Sequence, residues 1–127
     1  MQTDNCYAYA INQRGCIQPG NCLGNGENVS CETLIKNIVR DGHRPIDCDT
    51  PCKKTEHKIM AFVAPNHDYH FYKQTADGKW THKSPYRAPT NLDSFGKIIE
   101  NPVGAYKYYN DGDLHYTNYC GCFCVKN

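Results

Sequence analysis

At 127 residues the chain is long enough for one domain with a modest core, and we expect residues 1–127 to form that single domain. The net charge is +1 and the basic residues are dispersed, which argues against nucleic acid as a partner, and no apolar run is long enough to span a membrane. Nine cysteines indicate an oxidising compartment, so we expect a secreted protein with four disulfides and one remaining thiol. The first residues have neither the charged nor the apolar region of a signal peptide, so secretion implies a removed leader or a larger product.

The first predicted helix begins at Cys6, because Asp4 or Asn5 can cap it and an alanine-containing run follows. The unpaired N–H groups of a helix N-terminus stabilise a thiolate, and they can also bind an oxyanion that forms on a carbonyl carbon. Cys6 is therefore a candidate nucleophile. The alternative is that Cys6 is half of a disulfide.

The second predicted helix covers about Glu32 to Arg40. Ser30 can cap it, four apolar residues form one stripe, and Gly42 ends it. This helix has the pattern of one that packs on a core and carries no readable chemistry.

Two predicted loops, one on each side of the second helix, carry cysteines, and three more alternate with Gly or Phe near the C-terminus. We expect the C-terminal three to point to one side of an extended strand and to pair with the earlier ones. The predicted disulfide cysteines are Cys16, Cys22, Cys31, Cys48, Cys52, Cys120, Cys122 and Cys124. A zinc site that uses some of them with His43 and His57 is an alternative, but zinc sites usually show tighter paired spacings. We therefore predict no metal site.

A strand over Lys58–Ala64 leads into a predicted β-hairpin. Tyr69–Gln74 is aromatic-rich, Asp77-Gly78 is a strong turn signal, and Lys79–Lys83 supplies the return strand. The hairpin carries His70 on one strand and His82 on the other, so the two imidazoles can share a site. A second hairpin is predicted from Tyr106 to Tyr119 around an Asn-Asp-Gly-Asp turn.

Cys6 at a helix start, His70 on a strand and the run Gly78-Lys-Trp80-Thr-His82 resemble the NlpC-type cysteine peptidases of the papain-like superfamily. Cys6-x-x-Tyr9-Ala10 is similar to the CHAP amidase variant of that superfamily. The resemblance implies a small, disulfide-rich α+β papain-like fold, in which the N-terminal helix carrying Cys6 packs on an antiparallel sheet.

The resemblance also implies a role for each site residue. Cys6 would attack an amide carbonyl, and His70 would take its proton and return it to the leaving group. His82 would bond the far nitrogen of His70 and hold its tautomer. Gln2 would help to bind the oxyanion. No cofactor is implied.

The function that we expect from the sequence is that of a secreted, monomeric cysteine hydrolase that cleaves an amide bond in a peptide or a peptidoglycan stem. One alternative is a non-catalytic extracellular module, a matrix or toxin-accessory protein that only binds its target. The other is a Cys/His metal-binding domain.

Overall fold

The computed structural model describes residues 4–17, 19, 30–65, 68–84, 87–109 and 114–127. Within these ranges the helices are α1 (Cys6–Ala10), α2 (Cys31–Arg40) and a 3-10 turn over Pro102–Gly104. The strands are β1 (Arg44–Ile46), β2 (Glu56–Ala64), β3 (Asp68–Gln74), β4 (Trp80–Thr81), β5 (Tyr108–Tyr109), β6 (Leu114–His115) and β7 (Asn118–Lys126). Neither α1 nor α2 has the length and apolar character needed to cross a bilayer.

An antiparallel sheet dominates the described part of the chain. Its strand order is β1-β7-β2-β3-β4, and β5 and β6 form a separate two-stranded ribbon. The papain-like α+β fold expected from the sequence is therefore wrong, because most of the regular structure is sheet and α1 has only 5 residues. The aromatic and β-branched runs that fill β2, β3 and β7 favour strands, and they leave little sequence for helices.

Both predicted helix starts are confirmed by their caps. Asn5 Oδ1 accepts a hydrogen bond from the Ala8 N–H at 2.9 Å, and α1 begins at Cys6 as expected. Ser30 Oγ accepts from the Thr33 N–H at 3.2 Å, and α2 begins one residue before the expected Glu32. A capping oxygen satisfies an N–H that the helix itself leaves unpaired, which fixes where each helix begins.

The predicted hairpin that carries the two histidines is also present. β3 pairs antiparallel with β4 through Lys73–Thr81 and Gln74–Trp80, and Gly78 has the positive φ, +84°, that the turn requires. β4 ends at Thr81, but the backbone of His82 still forms an isolated antiparallel bridge with Thr90. The second predicted hairpin is seen as the β5–β6 pair.

The sheet has two buried faces. Ile59, Ala61 and Val63 of β2 pack against α1 and α2 on the side that we call the helix face. Met60, Phe62 and Ala64 of the same strand pack on the opposite side, which we call the histidine face. Because side chains alternate along a strand, neighbouring residues of β2 reach different clusters.

A β-bulge in β7 changes the predicted disulfide arrangement. Gly121 pairs with Ala61 and Tyr119 pairs with Phe62, so Cys120 is an extra residue on β7. Cys120 packs on the helix face whereas Cys122 packs on the histidine face. The expectation that the three C-terminal cysteines point to one side is therefore wrong, because the bulge interrupts the alternation.

Three disulfides join described residues, and each of them ends on β7. The pairs are Cys31–Cys120, Cys48–Cys122 and Cys52–Cys124. The first ties α2 to the sheet, and the other two tie the loop after β1 to it. The prediction that the C-terminal cysteines pair with earlier ones is confirmed for these six residues. Cys16 is exposed, and Cys22 lies outside the described residues.

Candidate functional site

The two predicted site histidines meet in the interior of the protein. The Nε2 atom of His70 lies 2.7 Å from the Nδ1 atom of His82, and the rings are nearly perpendicular at 88°. Only 4% of His70 and 3% of His82 is exposed, so water hardly reaches the pair. The contact predicted between these residues is confirmed.

The hydrogen-bond partners fix which nitrogen carries each proton. His82 Nε2 lies 2.7 Å from the carbonyl oxygen of Leu92, and a carbonyl can only accept, so this nitrogen carries a hydrogen. In a neutral His82 the Nδ1 atom is then an acceptor, and His70 Nε2 donates to it. The Leu92 carbonyl therefore fixes the tautomer of His82 and makes His70 the donor in the bond between the two rings.

Tyrosine rings enclose the histidine pair on the histidine face. The ring of Tyr116 stacks on His70 at 5.2 Å between centroids, and Tyr72 contacts both histidine rings. The Tyr116 hydroxyl donates to Asp68 Oδ2 at 3.2 Å. The pair is thus packed among aromatic rings, with a carboxylate at the far end of one of them.

Burial sets the charge of this pair. Desolvation holds the pKa of His70 well below its ordinary value of 6.5, and the neighbouring His82 lowers it further. Desolvation also lowers the pKa of His82, although the hydrogen bond to Leu92 opposes the change. Both imidazoles are therefore neutral at neutral pH.

Cys6 is not brought to the histidines. Cys6 packs on the helix face of the sheet with Phe71, whereas His70 contacts the tyrosines of the histidine face. The Cys6 thiol donates to the backbone oxygen of Tyr69 at a sulfur–oxygen distance of 3.9 Å. The alternation of β3 explains the separation, because Tyr69 and Phe71 point towards α1 and His70 points away from it.

The environment of Cys6 also disfavours the thiolate that was expected there. Only 7% of the residue is exposed, and burial raises the pKa of its thiol to about 12, with a smaller contribution from the charge of Asp68. The position at the N-terminus of α1 does not offset this desolvation. Gln2, the expected oxyanion residue, lies outside the described residues.

The sequence did contain a signal for this arrangement. If the aromatic Tyr69 and Phe71 cover a helix, then His70 must face the other way, and Cys6 on that helix cannot share its face. The roles of Tyr116 and Leu92 could not be predicted, because each contact joins residues on different elements with no local pattern.

One cluster of potential metal ligands occurs in the described part of the chain, formed by Cys52, Glu56 and Cys124. The two sulfurs are joined in a disulfide, so neither can supply the thiolate that zinc ligation uses. The remaining carboxylate of Glu56 accepts from the Arg44 guanidinium at 2.7 Å. In the disulfide-bonded protein the three residues of this cluster therefore have structural roles, as a disulfide and an ion pair.

Comparison with known proteins gives one informative relationship. No family model matches the chain, and no solved structure matches it. The chain is 37% identical over 106 residues to insoluble matrix shell protein 1 of Ruditapes philippinarum, and the match covers 80% of this chain and 70% of that relative. The resemblance to NlpC-type peptidases is tested by neither result and stays a prediction. The chain belongs to the family of insoluble matrix shell protein 1.

Proposed function

We propose that this protein is a non-catalytic structural module of an extracellular matrix. The observation that supports this most directly is the position of Cys6, a buried thiol on the opposite face of the sheet from His70. A nucleophilic cysteine needs a base within hydrogen-bond reach and access to its substrate, and Cys6 has neither in the arrangement described.

The relationship to a shell matrix protein supports the same function. The relative is by its name an insoluble component of shell matrix, and its match covers 80% of this chain. The disulfides between described residues are typical of proteins that work outside the cell. We therefore place the protein in a secreted matrix and assign the buried histidine pair to folding.

A thiol hydrolase is the second candidate, and one observation favours it. The His70–His82 contact of 2.7 Å is the one that a Cys-His-His mechanism would need. The mechanism would also require Cys6 to reach His70 from the other face of the sheet, which means displacing α1 from β3. The two functions therefore differ in the behaviour of Cys6.

Alkylation of the native, disulfide-bonded chain distinguishes the two. With iodoacetamide at pH 7 we expect no labelling of Cys6 in the native state and full labelling after unfolding in guanidinium chloride, with the labelled residue identified by peptide mapping. Incubation with peptide and peptidoglycan-stem substrates should release no product above that of Cys6→Ser. Rapid native labelling of Cys6 that slows in His70→Ala, together with cleavage that Cys6→Ser abolishes, would overturn the proposal in favour of the hydrolase.

A further inference from the structure

The residues that follow the β3–β4 hairpin lie across the histidine face of the sheet. We call residues 90–107 the cover. Ile99 of the cover is buried in the same cluster as Met60 and Phe62 of β2. Lys107 places its ammonium 4.7 Å from the centroid of the Phe62 ring. The cover therefore encloses the histidine face, as α1 and α2 enclose the opposite face.

No disulfide ties the cover to the sheet, because the sequence has no cysteine between Cys52 and Cys120. The disulfides between described residues join α2 and the loop after β1 to β7. Apart from the backbone at its two ends, the cover is therefore held by non-covalent contacts alone. Segments with fewer constraints can open while the rest of a protein stays folded, so the cover can open separately from the cross-linked sheet.

His82 provides the polar attachment of the cover. Its backbone N–H donates to the Thr90 carbonyl at 3.0 Å, and its carbonyl accepts from the Thr90 N–H at 2.9 Å. Its side chain accepts from His70 at Nδ1 and donates to the Leu92 carbonyl from Nε2, each at 2.7 Å. We call this chain of side-chain hydrogen bonds, from His70 through His82 to Leu92, the latch. The latch joins β3 to the first residues of the cover.

The latch depends on neutral imidazoles. A proton added to His82 occupies Nδ1, where it meets the N–H of His70 and breaks the bond between the rings. A proton added to His70 keeps that bond but places a positive charge among aromatic rings, where burial disfavours it. When the cover is open, both rings meet water and can take up protons without either cost.

The other groups around the pair do not reverse this preference. Desolvation lowers the pKa of both histidines, and the Asp93 carboxylate only partly opposes the shift at His82. Asp93 already accepts from three backbone N–H groups of the cover. The β2 residues buried on this face are apolar. The remaining charged or titratable groups on this face among the described residues are Asp68, Tyr72, Lys107 and Tyr116.

We propose that the His70–His82 pair is an acid-sensitive latch that holds the cover on the histidine face. At neutral pH both rings are neutral and the latch is closed. Below about pH 6.5, the ordinary pKa of histidine, protons bind the open state in preference, so its population rises as the pH falls. The disulfide-bonded sheet and both helices stay folded. The latch adds a conformational change to the protein and does not depend on the structural role proposed above.

The response to pH has an upper limit that follows from the two titrations. A histidine with a pKa of about 6.5 in the open state and a far lower one in the closed state raises the opening equilibrium by up to about 25-fold between pH 7 and pH 5. Two such histidines together raise it by up to about 600-fold.

Amide hydrogen exchange of the oxidised chain at pH 7, 6 and 5 tests the latch, with each rate divided by the intrinsic rate at the same pH. The amides of Thr90 and Ile99 report on the cover, since they donate to the carbonyls of His82 and Asn91. The amides that join β2 to β7 are the reference. We expect protection of the cover to fall at least tenfold between pH 7 and pH 5, and to be well below that of the reference amides at pH 5.

Glutamine variants show whether the two histidines cause the response. Glutamine keeps a hydrogen-bonding side chain but does not titrate, so His70→Gln and His82→Gln should each lose part of the pH dependence of the cover. The double variant should lose nearly all of it. His57→Gln is the matched control, because His57 Nε2 also lies 2.6 Å from a backbone oxygen, but that of Ala10 in α1. It should respond to pH like the wild type.

Two results with the wild-type chain would overturn the latch even if the variants failed to fold. One is protection of the cover that is the same at pH 7 and pH 5, and the other is equal protection of cover and reference amides at pH 5, which would mean that acid opens the whole fold at once. A folded double variant with the wild-type pH dependence would overturn it as well. Cleavage of an amide substrate would remove the structural role proposed above and leave the latch intact.

Discussion

His70 and His82 share one hydrogen bond in the interior, with His70 Nε2 2.7 Å from His82 Nδ1. Because His82 Nε2 donates to the Leu92 carbonyl, the pair has a single arrangement of hydrogens when both rings are neutral. Adding one proton buries an imidazolium ion, and adding a second sets two N–H groups against each other. Protonation of either ring is therefore disfavoured in the folded protein, which is why the pKa of each histidine is lowered there.

The first prediction is that acid destabilises the fold through this pair. An unfolded histidine has a pKa of about 6.5, and burial lowers the pKa of both histidines in the folded state. The unfolded chain therefore binds more protons than the folded protein does, so the free energy of unfolding falls as the pH falls below about 6.5. The loss between pH 7 and pH 5 is at most about 2 kcal/mol per histidine. Urea unfolding at pH 7, 6 and 5 measures it.

His70→Gln is the control for this pH dependence. Glutamine keeps an N–H donor for His82 Nδ1 but does not titrate, so the variant should lose part of the pH slope. Some slope should remain, because the variant retains His82 and His43, and burial lowers the pKa of both. Identical slopes in wild type and His70→Gln would show that His70 does not take up a proton on unfolding.

Local features of this fold could be predicted from the sequence, and long-range ones could not. The caps at Asn5 and Ser30 and the turn at Gly78 depend on a few adjacent residues, so their patterns were readable and the elements are present. The resemblance extended these short patterns to a whole papain-like fold. That extension failed, because the arrangement of the elements depends on contacts that short patterns do not encode.

The main error of the sequence-based prediction was in assigning side chains to the two faces of the sheet. This error has two physical causes. On β3 the alternation places His70 on the opposite face from Phe71 and so away from Cys6. On β7 the bulge at Cys120 and Gly121 shifts the alternation, and the alternating cysteine pattern hides this shift. In both strands a shift of one residue along the chain moves a side chain to the opposite face of the sheet, and so changes which residues it contacts.

The second prediction concerns the anchor of α1. The Tyr7 hydroxyl donates to Asp41 Oδ2 at 2.6 Å, and the ring is fully buried against Phe71. Tyr7→Phe should lower the free energy of unfolding by about 1.5 to 3 kcal/mol, the range for a hydrogen bond to a charged group. Chemical denaturation followed by circular dichroism measures this loss.

Tyr9→Phe is the matched control on the same helix. Its hydroxyl shares a 2.8 Å hydrogen bond with Thr81 Oγ1, a neutral partner, so its loss should be smaller, about 0.5 to 1.5 kcal/mol. A loss in Tyr9→Phe equal to or greater than that in Tyr7→Phe would contradict the role assigned to Asp41.

The third prediction is that two of the disulfides contribute unequally to stability, because Cys48–Cys122 lies next to one of them. With Cys48–Cys122 intact in the unfolded chain, Cys31–Cys120 closes a loop of roughly 19 residues and Cys52–Cys124 one of roughly 6. Loop entropy depends on the logarithm of this length, so replacing Cys31 and Cys120 by alanine should cost about 3 kcal/mol and replacing Cys52 and Cys124 about 2 kcal/mol. Urea unfolding of the two double variants tests this. A larger loss for the Cys52–Cys124 variant would mean that the packing of the loop after β1, and not chain entropy, dominates the loss.

The last prediction concerns the glycine that allows the bulge in β7. Gly121 has φ +123°, a conformation that other residues rarely adopt, and a Cβ added there would meet nothing within 4 Å. Gly121→Ala should therefore lower the free energy of unfolding by about 1–3 kcal/mol through backbone strain alone. Thermal unfolding of the oxidised protein measures the loss. Disulfide mapping after oxidative refolding should also show less Cys31–Cys120, because Cys120 reaches the helix face only through the bulge.

Gly104→Ala is the control for this substitution. An added Cβ at Gly104 also meets nothing within 4 Å, and its backbone lies outside the left-handed region, so its unfolding free energy should change by less than about 1 kcal/mol. Equal stability of the two variants, with Cys31–Cys120 formed to the same extent in both, would show that β7 can form its bulge without glycine. The placement of Cys120 against α2 would then depend on the disulfide itself and not on the backbone of Gly121.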